Sequence, residues 1–154
     1  MAYAVVRVRG IVNVNPDVKK TLNLLNLTKV NHCVVLEENP VTIGMLNVAK
    51  DYITCGEIEK DILLKLISSR GRVEGDNKIT DEYVKSTTSY TNIQKLSEAI
   101  LENKFKYKEI PNAKPIFRLN PPKKGYEGIK RSYKNKGALG YRGKDINKLI
   151  ERMI

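Results

Sequence analysis

Two hydrophobic periods alternate through the first 56 residues, and this alternation constrains the fold more than any other feature of the chain. Residues 3–10 repeat every two: Ala4, Val6 and Val8 share one side, and Tyr3, Val5, Arg7 and Arg9 share the other, as in a half-buried strand. Asn15 is then placed to N-cap a helix with Pro16 in its first position, where a missing N–H costs nothing, and Asp17 complements the helix dipole. Val18, Thr21, Leu22 and Leu25 follow at i, i+3, i+4, i+7, so the spacing predicts a helix over about 16–26 with one apolar face. His32–Glu37 reads as a second strand, stopped by Asn39-Pro40. Thr42 is read as the cap of a short helix over about 43–50, with Met45, Leu46 and Ala49 facing inward, and Asp51–Gly56 as a third strand. Strands and helices that alternate in this way bury the faces of a small sheet.

Beyond this core the period becomes helical. Glu57–Arg70 carries the stripe Ile58, Ile62, Leu63, Leu66 and Ile67, with acids at its start, Arg70 at its end and Gly71 at the C′ position. Thr80-Asp81-Glu82 opens a short helix, and Thr91 with Gln94 has capping-box spacing before a helix over about 92–103. Residues 115–119 suit one short strand, 120–144 read as a loop, and 145–153 close the chain as a helix capped by Asp145 with Ile146, Leu149, Ile150 and Met153 on one face. The expected class is therefore α+β. A β-α-β-α-β core occupies 1–56, a helical extension packed on it 57–103, and a basic C-terminal segment 104–154, with a loop at 120–144 and a closing helix at 145–153.

Charge divides along the same line. Residues 1–103 hold 13 basic and 13 acidic side chains, whereas 104–154 hold 15 basic and 4 acidic, so the last third carries the whole net charge of +11. A solvated, solubilising tail would mix Lys with Glu and lack aromatics. Here the loop holds Lys123, Lys124, Lys130, Arg131, Lys134, Lys136, Arg142 and Lys144 against Glu127 alone, with five of the ten glycines and Tyr126, Tyr133 and Tyr141 among them. Lysine neutralises phosphates, arginine can clamp a phosphate or a guanine edge, and tyrosine can stack on unpaired bases. Each tyrosine could instead staple the loop to the body, and Leu139 between Gly137 and Gly140 reads as an anchor. With so few apolar residues the loop is expected to be mobile until its partner orders it. Arg7 and Arg9 on one sheet face, and Lys19 and Lys20 in the first turns of the first helix, are candidates to join this RNA-binding set.

Other chemistries find little support. His32 and Cys33 are neighbours on a strand and point to opposite faces, so they cannot form a nucleophilic pair, and Cys55 approaching His32 across the sheet is the weaker remaining arrangement. Two cysteines and one histidine fall short of a structural zinc site, and the Gly-rich stretch around Gly140 and Gly143 lacks the spacing of a phosphate-binding loop. No catalytic residue, metal ligand or cofactor is expected. Nor is a signal peptide, a membrane partner or a small-molecule substrate, and both thiols are expected to be reduced and buried.

The pattern Thr21-Leu22-x-x-Leu25-x-Leu27-x-Lys29-x-x-His32-x-Val34, ten further residues, then Met45-Leu46-x-x-Ala49-x-x-Tyr52-Ile53 resembles the signature of the L-thirty family of large-subunit ribosomal proteins. Phe117-Arg118-Leu119-Asn120-Pro121-Pro122-x-Lys124-Gly125, Lys136-Gly137-Ala138-Leu139-Gly140-Tyr141-Arg142-Gly143 and Ile146-Asn147-x-Leu149-Ile150-x-Arg152-Met153 are similar to its long branch. Bacterial members would end near residue 56, and the absence of a basic N-terminal extension points to an archaeal rather than a eukaryotic member. The resemblance implies a non-enzymatic constituent of the large ribosomal subunit, without cofactor, that binds ribosomal RNA in the cytoplasm beside neighbouring ribosomal proteins. It also implies an antiparallel three-stranded sheet, loosely ferredoxin-like. A free-standing RNA-binding or RNA-chaperone module is the alternative, and a small ferredoxin-like enzyme a third class that the missing acid/base constellation disfavours.

Overall fold

A computed structural model describes residues 1–154. The β-α-β-α-β reading holds: β1 is Ala2–Arg7, α1 Pro16–Leu24, β2 His32–Glu37, α2 Pro40–Ala49 and β3 Ile53–Glu57. Strand β1 is central and antiparallel to both neighbours, with Val5 opposite Val34 on β2 and Cys55 on β3. Asn15 caps α1 as expected, its side chain accepting from the Asp17 amide at 3.0 Å. Helix α2 starts earlier than expected because Asn39-Pro40 repeats that device. Asn39 Oδ1 accepts from the Thr42 amide at 2.7 Å, so the pair read as a stop is a start, and Thr42 lies inside the helix.

Helices α3 (Lys60–Arg70), α4 (Asp81–Thr87) and α5 (Ile93–Leu101) follow, then β4 (Phe117–Arg118), β5 (Gly128–Ser132), β6 (Gly137–Tyr141) and α6 (Ile146–Met153). Asn92, rather than Thr91, caps α5 through the Lys95 amide at 2.9 Å. Gly71 follows α3 with extended backbone, not the left-handed conformation of a C′ glycine. A Cβ there would lie 2.5 Å from the Ile67 carbonyl oxygen, so close packing excludes a side chain.

The three-stranded sheet grows to six strands in the order β4-β2-β1-β3-β6-β5, mixed in direction because β6 runs parallel to β3 and β5 parallel to β6. Residues 120–144, expected to be a loop, contain two of these strands. The antiparallel three-stranded expectation thus describes the centre of a wider sheet.

Helices pack on both of its faces. Val5, Val34, Ile53 and Cys55 meet Leu22 of α1, Leu25 at its C-cap, and Leu46 and Ala49 of α2. On the other face Ala2, Ala4, Val6 and Cys33 meet α3, α5 and α6 through Leu63, Leu66, Leu96, Ile100, Leu149 and Ile150. Strand β1 is therefore buried on both sides rather than half-buried. Burial of each such leucine or isoleucine contributes roughly 1.5–3 kcal/mol. Asn147 of α6 fixes the join: its Oδ1 accepts from the Glu59 amide at 2.8 Å at the start of α3, and its Nδ2 donates to the Glu57 carbonyl at 3.0 Å. No helix is long and apolar enough to cross a membrane.

Candidate nucleic-acid interface

Strand β5 forms one edge of the sheet and carries Lys130 and Arg131. A 3-10 turn over Tyr133–Asn135 brings Lys134 outward and returns the chain to β6 through Lys136. Gly137 permits the crossing, since a Cβ there would sit 2.0 Å from the Arg131 carbonyl oxygen. Beneath the crossing Ala138 and Leu139 pack on Val8 at the end of β1, as expected for the Leu139 anchor.

One arginine organises this module. Arg142, expected among the RNA-contact residues, is buried to 5% exposure. Its Nε donates to Thr54 Oγ1 at 2.7 Å and its Nη2 to the Ala138 carbonyl at 3.0 Å, with Glu127 3.5 Å away. Its guanidinium lies 4.9 Å from the Tyr133 ring centre. Thr54 Oγ1 in turn donates to the Gly140 carbonyl at 3.2 Å, and the Arg142 amide donates to the Cys55 carbonyl at 2.8 Å. A side chain expected to reach for phosphate instead joins β6 to β3, because one guanidinium can satisfy several inward acceptors at once.

Arg7 needs the same correction. It is 1% exposed, donating from Nη1 to the Leu27 carbonyl at 2.6 Å and from Nε to the Arg9 carbonyl at 2.9 Å. The chain after α1 folds over that sheet face and takes Arg7 inside, whereas Arg9 lies half-buried above Tyr52 at 5.1 Å. Lys19 and Lys20 are exposed on α1, and no hydrogen bond or ion pair links them to the β5–β6 module.

The tyrosines act first as staples. Tyr126 donates to Asn31 Oδ1 at 2.6 Å and packs against Val8, Ala138 and Leu139, so it is not a free stacking platform; burial raises its pKa. Tyr133 donates to Asp145, which raises the tyrosine pKa and lowers that of the carboxyl. That bond also explains why Asp145 precedes α6 without capping it through its side chain. Tyr141 donates to Glu57, which pushes its pKa up to about 12, yet the residue remains 54% exposed.

What stays outside is cationic. Lys123, Lys124, Lys130, Arg131, Lys134, Lys136 and Lys144 are all exposed, and none has a carboxylate within ion-pair distance. Lys124 and Lys136 hold φ of 67° and 60°, left-handed backbone that glycine adopts far more readily. Lys148, one turn beyond Lys144 and 84% exposed along its side chain, extends the patch. Its i+4 spacing from Lys144 is the sequence signal for it, and unlike the others it has a carboxylate, Asp145, at 3.5 Å. Arg152 braces the patch from behind, donating to the Lys123 carbonyl at 3.1 Å.

The two cysteines and the histidine assemble no reactive site. Burial pushes the Cys33 thiol up to about 12 and the Cys55 thiol up to about 11, so both are protonated at neutral pH. They lie on opposite faces of the sheet and are free. His32 Nδ1 is 3.4 Å from Thr28 Oγ1, and burial, followed by Arg118, Lys29 and Arg7, lowers its pKa. Strand β1 separates it from Cys55. No thiolate–imidazole pair arises.

The sequence model of the family described as Ribosomal protein L30p/L7e matches residues 3–53, from β1 to the start of β3. The large ribosomal subunit protein uL30 of Methanocella arvoryzae is 46% identical over 151 residues, 98% of this chain and 99% of the relative. That of Thermoplasma volcanium is 48% identical over 151 residues, 98% of this chain and 92% of the relative. The uL30 of Methanosphaera stadtmanae is 46% identical over 152 residues, 99% of each. Similarity on this scale runs through the β5–β6 module as well as the core, and with it the chain belongs to the ribosomal protein L30p/L7e family, a family of structural proteins rather than enzymes.

Proposed function

We propose that this chain is a structural constituent of the large ribosomal subunit in the cytoplasm, set among neighbouring ribosomal proteins. It binds ribosomal RNA through Lys123, Lys124, Lys130, Arg131, Lys134, Lys136 and Lys144, with Arg9, Lys19 and Lys20 as a second group. The observation that carries the reading is the sorting of side chains in the β5–β6 module. The carboxylates of Glu57, Glu127 and Asp145 around it are engaged by Tyr141, Arg142, Arg152, Tyr133 and Lys148, which leaves the seven outward cations named above without a carboxylate partner. Two of those lysines occupy left-handed positions, a local strain that a purely structural role would relieve with glycine.

The mechanism is electrostatic. Neutralising phosphates releases the counterions condensed on RNA, and the stapled strands hold the ammonium groups in a fixed pattern. Tyr141 adds an exposed ring whose hydroxyl is already engaged, suited to stacking on an unpaired base. With about seven phosphates engaged, affinity falls roughly 10³-fold between 50 and 200 mM salt.

Filter binding of the full chain to large-subunit RNA, as a function of salt, tests this. Replacing Lys130, Arg131, Lys134 and Lys136 together with Ala keeps the melting temperature near wild type, since exposed changes cost within about 0.5 kcal/mol each. The same variant lowers the salt slope by roughly 3 to 4. An unchanged slope refutes the assignment. Recovery with the large subunit after a high-salt wash separates a subunit constituent from a free-standing RNA-binding module, which stays in the soluble fraction.

A further inference from the structure

At the far edge of the sheet from the cationic module, β2 is only partly covered. On one side it pairs with β1 from Cys33 to Glu37. On the other it pairs with β4 at His32 and Cys33 alone. The chain leaves that edge just before β4, where Pro115 has no N–H and the Lys114 amide donates to the Arg72 carbonyl at 2.9 Å. Val34–Glu37 therefore have no strand on this side, and no backbone hydrogen bond outside the regular ladders reaches them. Along a strand, residues alternate in the side to which they direct N–H and C=O, so about two of these four present a donor and acceptor pair to the gap.

The gap is a groove of about 260 Å³. Leu24, Val41 and Met45 of the α1–α2 layer form one wall; Ile100, Phe105 and Tyr107 form the other. Leu24 and Val41 are 64% and 72% exposed, large apolar side chains with nothing packed over them. At the Glu37 end, Lys106 is paired with Glu37 at 3.0 Å, while Lys108, also on the rim, is exposed and has no carboxylate partner.

We infer that the open edge of β2 is a docking site for an extended segment of another polypeptide, which adds as a strand beside Val34–Glu37. The backbone gap specifies an extended chain, because only a strand satisfies a row of edge donors and acceptors. Apolar walls on both faces specify apolar side chains at successive positions of that strand. Lys108 specifies an acidic residue at the end that meets Glu37 and Lys106, where a bare like-charged carboxylate would otherwise face Glu37 alone. A second copy of this chain does not fit the description: its own β2 edge lies between two walls, and two walled edges cannot approach to strand-pairing distance, about 4.8 Å. The site is separate from the RNA-binding patch, and the inference does not depend on that reading.

The test uses the full chain, free in solution, and a fluorescein-labelled peptide Ser-Val-Thr-Val-Ile-Glu-Glu. Binding is followed by fluorescence anisotropy, and amide shifts and exchange by NMR. Saturable binding with slowed exchange at Val34–Glu37 is expected. A peptide with Lys in place of both Glu binds more weakly by about threefold to tenfold, the loss of one or two exposed ion pairs and a new repulsion. Val41→Asp, at an exposed wall position, abolishes peptide binding while the chain melts like wild type. The inference is overturned by no binding at millimolar peptide, by shifts that map elsewhere, by binding that survives Val41→Asp, or by concentration-dependent shifts at Val34–Glu37 without peptide, which would mean self-association.

Discussion

Arg142 and Lys130 both contribute positive charge to the same twenty residues, but the structure gives them opposite duties, and Arg142→Ala separates these. The substitution removes a hydrogen bond to Thr54 Oγ1 at 2.7 Å and one to the Ala138 carbonyl at 3.0 Å, each worth about 1.5–3 kcal/mol for a charged donor. It also removes the stacking on Tyr133, about 0.5–1 kcal/mol. The pairing with half-exposed Glu127 at 3.5 Å adds at most about 1 kcal/mol. Allowing for water reaching the vacated space, the loss is about 3–5 kcal/mol. At roughly 2–4 °C per kcal/mol for a chain of this size, melting falls by about 10 °C if the module and core unfold together. If the module detaches first, the midpoint moves less, and hydrogen exchange rises selectively over residues 128–141 while β1 stays protected. RNA affinity drops in either case, yet the salt slope stays within about one unit of wild type, because the exposed cations remain. A single Lys130→Ala change does the reverse: the midpoint holds and the slope falls by about 0.9. An Arg142→Ala protein with wild-type melting and wild-type exchange over 128–141 would refute the division between staple and contact residues.

Leu25→Ala empties a site between the end of α1 and the sheet and should cost roughly 2–5 kcal/mol by urea denaturation, whereas the same change at exposed Leu24 should cost almost nothing. Gly137→Ala drives a methyl group to 2.0 Å from the Arg131 carbonyl, so β5 must separate from β6, and exchange protection over 128–141 should fall with little change in the α1–α2 layer. Tyr141 is held neutral up to about 12 by its bond to Glu57, above the unfolded value of about 10. The folded state therefore keeps the proton longer, and this contribution to stability is complete below pH 10 and fades as pH rises from about 10 to 12. Ultraviolet titration of Glu57→Gln should show one tyrosine returning toward the ordinary range.

The core was legible because its signals are local. Asn15-Pro16 and the i, i+3, i+4, i+7 stripe of α1 lie within eleven residues, and β2 was bounded to the residue by His32 and Asn39. The second Asn-Pro pair was misread for the opposite reason. A proline ends whatever precedes it and can begin a helix, and only the Asn39 side chain reaching the Thr42 amide decides between the two. Strands β5 and β6 were illegible in principle. Gly128–Ser132 and Gly137–Tyr141 have few apolar residues and no alternating run; β6 is placed by β3, more than eighty residues away, through Thr54 and Cys55, and β5 pairs with β6 alone. A segment can be polar and still be strand when a distant edge supplies its ladder.

The same distinction explains what charge could reveal about the site. Composition shows that the last third is basic, since a surplus of cations survives any folding. It could not sort those cations, because burial of an arginine depends on acceptors elsewhere in the chain: Leu27 for Arg7, Thr54 and Ala138 for Arg142. Lysine, with a compact and strongly hydrated charge, rarely serves as such a hub, whereas the planar guanidinium of arginine does. In this chain the two buried cations are both arginines and every lysine of the patch is exposed. Within a basic segment of mixed Lys and Arg, lysines are therefore the better first candidates for phosphate contact. An arginine flanked by glycines and small residues, as Arg142 is by Gly140 and Gly143, is the first candidate for the scaffold. Arg131 is the instructive intermediate: it is exposed, but its guanidinium folds back over Gly128, so that under the proposed function it must leave the edge strand before it can clamp a phosphate.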